Sequence, residues 1–406
     1  MCYNLRMRYA EFSNGTKIID GERGIADLRI LLCGLGASRI MIIGDRRLLA
    51  DGYLDKIKER VSEGGEIAIG AVYLGEDTQD SQSVLKDLYF VYMSNGCDGI
   101  VVCGSGKLVD HAKLLRLAVS AQVKDIKKFF NNSAIGRKVV DVPLITIPRK
   151  LGVGNECNAL AVYYDCDKKI SRNVFNELLF PDYCIIDGKI ISASSKSSMA
   201  YGALSALGKA IDGFIAAHYA RVGIAIKRVE EHAVGKIFSK VALTNLRAKA
   251  LDTLASDDEE KIVSFALETA YLSKGLDSNG MGMIYSLALA ISDVKGVSYS
   301  RCLPIAIKAS LDYNLRVCQD KYSEALWSFV GWHECSKYPQ EERAKAFVSC
   351  VKEFVDEVTD KYVEEYQPII LTDDDRHDIV VALSYNPHML NNPRYFDPIA
   401  IKAVLR

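Results

Sequence analysis

The chain has 406 residues, 49% apolar and 25% charged, with 51 Lys plus Arg against 52 Asp plus Glu. That composition belongs to a globular protein of about two domains. The near-zero balance gives no electrostatic footing for nucleic acid or an anionic membrane, and no window approaches the roughly 18 uncharged apolar residues of a bilayer span.

The opening MCYNLRMRYAEF has no apolar stretch of leader length. The 11 cysteines are scattered without a CxxC pair and read as reduced thiols, which fits a cytoplasmic protein. Short β-branched runs follow at Arg39–Ile43, Ile67–Tyr73, Gly99–Cys103, Leu144–Ile147 and Tyr183–Ile186. Helical stretches such as Ser83–Ser94 and Lys107–Ala121 separate them. Runs of this kind predict parallel strands buried on both faces, hence a doubly wound α/β domain over residues 1–192. From residue 193 to 406 helical periodicity takes over and strand-like runs disappear, which predicts an all-helical second domain. The cleft between the two is the expected ligand location.

Two segments carry chemistry. In Val101–Lys113, VVCGSGKLVDHAK, a strand enters a glycine turn that opens a helix. Glycines let the backbone approach a phosphate, and the helix start offers free N–H groups at the positive end of its dipole. A plain strand-to-helix turn reads the same way. It is not a Walker A loop, because Val101 and Leu108 stand where that motif needs glycine and a hydroxyl residue. In Pro148–Glu156, PRKLGVGNE, two glycines beside Arg149-Lys150 suit an anion, or a solvated surface turn.

Together these segments resemble the iron-containing alcohol dehydrogenase family, with its dehydroquinate synthase-like fold. Gly104, Ser105, Gly106, Lys107, Asp110 and Ala112-Lys113 are similar to the family's GGGSxxDxAK. Pro148, Gly152, Gly154 and Glu156 are similar to its PTTxGTGSE loop. Ile186-Asp187, Tyr201–Phe214 and Asn391–Arg394 resemble later family motifs, so the likeness spans nearly the whole chain. It implies a nucleotide-binding α/β domain followed by a helical domain, and an NAD or NADP cofactor. Asp45, after the first strong strand, matches the acceptor of the adenosine ribose hydroxyl. That favours NAD over NADP, although Arg46 and Arg47 beside it weaken the preference. A homodimer acting on a small molecule is expected by resemblance alone.

The departures concern the metal. The family's aspartate and i+4 histidine are here Ser205 and Lys209, and its two later histidines correspond to Tyr285 and Tyr299. A protonated lysine has no lone pair for a metal. The six histidines form no HxxxH pair, so no metal is expected. In the cofactor loops Lys107, Arg149 and Lys150 replace hydroxyl residues. These cations either strengthen pyrophosphate binding, fill the phosphate site, or accept a more anionic ligand.

A Tyr–Lys pair is competent for carbonyl reduction, because an ammonium lowers a nearby phenol's pKa. Lys209 would then be the electrophile and Tyr285 or Tyr299 the acid, with Ser205 in the same site. The bland alternative pairs Lys209 with Asp212 and packs both tyrosines in the core. Two readings follow: a metal-independent NAD(P)-linked oxidoreductase, or a non-catalytic relative kept as a binding or assembly module. A sugar-phosphate enzyme of the dehydroquinate synthase type is a weaker third. Trp327, Phe329 and Trp332 read as helical core, and Asp257–Lys261 and Asp373–Arg376 as helix starts.

Overall fold

The computed structural model describes residues 15–20, 24–75, 80–130, 139–152, 154–222, 225–229 and 233–405, with the backbone alone for 218–222, 225–229, 278 and 279. The opening segment and His232 lie outside the described residues. Two compact units emerge: residues 15–195 with 257–270, and the remainder of the chain from Lys196.

The first unit contains β1 (Lys17–Asp20), β2 (Arg39–Asp45), β3 (Ala68–Gly75), β4 (Gly99–Gly104), β5 (Leu144–Pro148), β6 (Leu160–Asp165), β7 (Ile170–Phe175) and β8 (Tyr183–Ile186). Six of these form one parallel sheet in the order β1-β8-β5-β4-β2-β3. The five strands expected from the sequence are all in it. Alternation along each strand divides the core. Ile40 and Ile42 join Val101, Cys103, Ile145 and Ile147 on one face, while Met41 and Ile43 join Ile100, Val102 and Leu144 on the other. Each such side chain contributes roughly 1.5–3 kcal/mol when fully buried, which is why the central strands read as unbroken apolar runs. β6 and β7 form an antiparallel hairpin apart from this sheet.

The chain leaves β3 on one side of β2 and returns to β4 on the other. The strand order therefore reverses between β2 and β4, and ligands of open α/β sheets bind at the carboxyl ends of such a pair. Here those ends are Gly44-Asp45 and Gly104.

The helix Lys107–Ser120 after β4 is fastened by buried polar side chains. Lys113 is fully buried and its Nζ donates to Asn155 O at 2.9 Å, to Asn158 Oδ1 at 3.1 Å and to Leu160 O. His111 Nε2 lies 3.0 Å from Ser81 Oγ, which accepts from Tyr164 N. Arg116 donates to the carbonyls of Val142 and Phe180 and pairs with Asp182 at 3.0 Å.

The second unit is helical except for one correction to the sequence expectation. Within the stretch expected to be helix, β9 (His218–Val222) and β10 (Ala225–Val229) pair antiparallel. Val222, Ile226 and Val229 favour extended backbone, and Gly223-Ile224 between the strands lie outside the described residues. The helices Lys196–Ile215, Met283–Lys295 and Tyr299–Leu315 surround the positions of interest. Gly208 permits their close contact, since a Cβ there would stand 2.8 Å from Ile284 Cγ2. Thr372 and Asp375 form a capping box at Asp373–Ser384, as the acidic run suggested. Trp327 and Trp332 correct another expectation: they are 50% and 68% exposed, and only Phe329 is core. Gly331 at φ +82° ends the helix between the two tryptophans. Among the described residues, no helix is long and apolar enough to cross a membrane.

Lys113→Met removes an ammonium from three oxygens and leaves the buried Asp110 carboxyl without its nearest cation. It is expected to cost about 3–5 kcal/mol in urea denaturation. A loss under about 1 kcal/mol would mean that these contacts do not hold the helix to the 155–160 segment.

Candidate functional site

At the carboxyl ends of β2 and β4 two loops meet. Gly106 has φ +61° and starts the helix Lys107–Ser120. A side chain there would strain the turn, which favours glycine at this point. Ser105 Oγ donates to Gly104 O at 2.8 Å and accepts from Arg149 N at 3.2 Å and Lys150 N at 3.0 Å. One hydroxyl thus joins the two segments that the sequence singled out. Gly152 and Gly154 also take positive φ, at +74° and +83°, while Val153 lies outside the described residues.

Lys107 and Lys150 are half-buried at this edge. Arg149 is 4% exposed and does not reach toward solvent. Its Nη1 lies 3.2 Å from Asp45 Oδ1 and its Nη2 2.6 Å from Asp51 Oδ2. Asp45 Oδ1 also accepts from Leu48 N at 3.2 Å. Asp110 is buried and accepts from Asn155 Nδ2 at 3.3 Å, so its carboxylate holds the second loop from behind. Burial pushes its pKa up, and Lys113 works against that shift. Cys103 is fully buried, and burial raises its thiol, as for a structural cysteine.

A glycine turn at a helix start, flanked by two half-buried ammonium groups and a carboxylate at the end of the neighbouring strand, suits the diphosphate and ribose of a dinucleotide.

In the helical unit, Ser205 and Lys209 lie one turn apart on Lys196–Ile215 and are 8% and 5% exposed. Asp212, on the same helix, caps the helix Met283–Lys295: its Oδ1 accepts from Ile284 N at 3.1 Å and its Oδ2 from Tyr285 N at 3.0 Å. Burial raises this carboxyl to about 6, and the backbone donors pull it back. The Tyr285 and Tyr299 rings meet at 5.8 Å. Burial and the charge of Asp212 push the Tyr299 phenol up, opposite to the direction expected for a tyrosine activated by a lysine.

Sequence reasoning missed His388. It is buried, with Nδ1 accepting from Met281 N at 3.2 Å and its ring 5.1 Å from that of Tyr285, edge to face. Burial lowers its pKa to about 3, so it is a neutral imidazole whose bound Nδ1 puts the proton on Nε2. Its nearest signal was the following motif: Asn392 exchanges hydrogen bonds with Asn314 at 2.8 and 2.9 Å, and Arg394 stacks on Tyr313.

The residues at the expected metal positions do not suit iron or zinc. They offer hydroxyls and an ammonium, and the imidazole nearest them already has its Nδ1 engaged. Among the described residues no group of three or more His, Cys, Asp or Glu is placed to hold a metal ion.

A parallel sheet with a glycine-rich switch point, in a chain that continues into a helical unit, is an architecture suited to a nucleotide ligand. Residues 15–188 match the family model of iron-containing alcohol dehydrogenase. The chain is 21% identical to the NAD-dependent methanol dehydrogenase of Bacillus methanolicus over 303 residues, 75% of each chain. Its fold superposes on an alcohol dehydrogenase from Oenococcus oeni with TM-score 0.86 at 15% identity, covering 98% and 99% of the two chains. It also superposes on a sulfoacetaldehyde reductase from Bifidobacterium kashiwanohense in complex with NAD+, with TM-score 0.77 at 12% identity, covering 98% of each. Over residues 15–188, therefore, the chain is similar to the iron-containing alcohol dehydrogenases that its motifs resemble.

The histidine has a consequence for acid stability. Its folded pKa lies below its unfolded value, so its contribution is present above about 6.5 and is lost as pH falls toward about 3. His388→Asn keeps an acceptor for Met281 N but does not titrate. Compared with the parent, the variant should lose less stability per pH unit in that window, by up to about 1.4 kcal/mol, in urea denaturation from pH 7 to pH 4. Parallel curves would sink this account.

Proposed function

We propose that the chain is an NAD-linked oxidoreductase interconverting an alcohol and an aldehyde or ketone without a bound metal. The observation that carries this reading is the hydroxyl of Ser105, which ties a helix-starting glycine turn to a second glycine loop at the sheet's switch point. A pure scaffold has no use for a backbone so shaped for a diphosphate. The names of the relatives point the same way, since those with printed activities are dehydrogenases and reductases.

Bound nicotinamide supplies or removes the hydride at the substrate carbon. The chain's own residues do the rest. Gly104, Gly106, Gly152 and Gly154 let main chain approach the diphosphate, Lys107 and Lys150 balance its charge, and Asp45 faces the ribose. Lys209 stands in for the Lewis acid, holding positive charge against the substrate oxygen. Tyr285 passes a proton to that oxygen in reduction and takes it back in oxidation, with Tyr299 packed on its ring and Ser205 one turn from Lys209 on the helix Lys196–Ile215. The raised phenol of Tyr299 keeps it protonated and suits it to a packing role. The lysine–tyrosine pairing rests on all four family ligand positions differing together, a change that leaves the site polar. A homodimer is part of the same proposal.

Calorimetric titration of the purified protein with NADH, with metal content read by mass spectrometry on the same sample, tests this first. Saturable binding without stoichiometric metal is expected, and no binding would sink the reading. On a carbonyl substrate that is turned over, Lys209→Ala and Tyr285→Phe should each lower kcat/KM by about a hundredfold or more. Changes within about threefold would remove those residues from the mechanism.

A further inference from the structure

We propose that Arg149 sets which nicotinamide nucleotide the chain accepts: it pairs with Asp45 and offsets part of its charge, so that the 2′-phosphorylated dinucleotide binds alongside NAD. This rests on the oxidoreductase reading and extends it to the cofactor's ribose.

A carboxylate at the end of the strand bordering the switch point accepts from a ribose 2′-hydroxyl and repels a 2′-phosphate, whereas an arginine nearby accommodates the phosphate. Here both groups occupy one place. The Arg149 guanidinium bridges two carboxylates, Nη1 at 3.2 Å from Asp45 and Nη2 at 2.6 Å from Asp51. Its side chain is 5% exposed while each carboxylate is 33% exposed. The arginine thus lies beneath, and the acceptor oxygens stay open to a hydroxyl. Buried charge is tolerated where it is paired, and the two aspartates supply that pairing.

The guanidinium is also fixed from its backbone, because Arg149 N donates to Ser105 Oγ and to Gly104 O. The side chain that pairs with Asp45 therefore grows from the loop that Ser105 binds to the glycine turn. Arg46 and Arg47 follow Asp45 on the same turn and are exposed. Arg149 with Asp45 and Asp51 sums to −1, spread over two carboxylates, and Arg46 and Arg47 bring the five groups to +1. A 2′-phosphate meets an aspartate whose repulsion is reduced by its pairing, with the exposed residues Arg46 and Arg47 on the same turn.

The test is calorimetric titration of the full chain with NADH and NADPH, for the parent, Arg149→Thr, Asp45→Asn and the double variant. The parent is expected to bind the two nucleotides with dissociation constants within about tenfold of each other. Arg149→Thr exposes the Asp45 charge and should weaken NADPH relative to NADH by a further tenfold or more, and the double variant should restore the parent ratio. Asp45→Asn alone should move the ratio by less than about threefold, a measurement that stands even if Arg149→Thr fails to fold. A parent that rejects NADPH about a hundredfold while binding NADH, or an Asp45→Asn variant that gains NADPH tenfold or more, overturns the assignment and leaves the oxidoreductase reading intact. Binding of neither nucleotide by the parent overturns both.

Discussion

The two glycine loops depend on one constraint: the helix that carries the first loop must not move relative to the sheet behind it. Buried ionic groups meet that constraint. Lys113 reaches three oxygens of the 155–160 segment, Asp110 holds Asn155, and Arg116 gathers the ends of β5 and β8. Charges taken out of water are costly unless each is matched, so this arrangement tolerates little displacement. Apolar packing alone, being non-directional, would have allowed the helix to slide. The polar groups fix its register, and Ser105 passes that register to the second loop.

The helical unit solves a different problem with similar means. The family that residues 15–188 match is iron-containing by name, and Ser205, Lys209, Tyr285 and Tyr299 do not suit a metal. Asp212 supplies an organising contact instead. Its carboxylate caps Met283–Lys295 through two main-chain N–H groups and so positions Tyr285 at the start of that helix. His388 then closes on Tyr285 from a distant part of the chain, its tautomer fixed by Met281.

Legibility in the sequence followed the range of the interactions. The sheet strands could be read because burial on both faces leaves an unbroken β-branched run, and the glycine turns because positive φ demands a particular residue. The hairpins β6–β7 and β9–β10 were not seen: β7, β9 and β10 mix polar residues into short strands, and the apolar run of β6 has few β-branched residues to mark it. The bridging of Arg149 to Asp45 and Asp51, and the approach of His388 to Tyr285, were invisible, since each joins residues far apart in the chain. Asp110 and Lys113 were recognised as motif residues. Burial turned both inward, and spacing alone does not reveal that. Trp327 and Trp332 were misread for the converse reason: large aromatics at helical spacing suggest a core, yet a glycine between them turns both outward.

Those two tryptophans are the chain's entire complement, and both lie in the helical unit with indoles half or more in water. Residues so exposed are expected to emit as solvated fluorophores before any denaturant is added. Intrinsic tryptophan fluorescence will therefore register little when the α/β unit melts. Circular dichroism, or an indole introduced into the buried sheet, is needed to follow that unit.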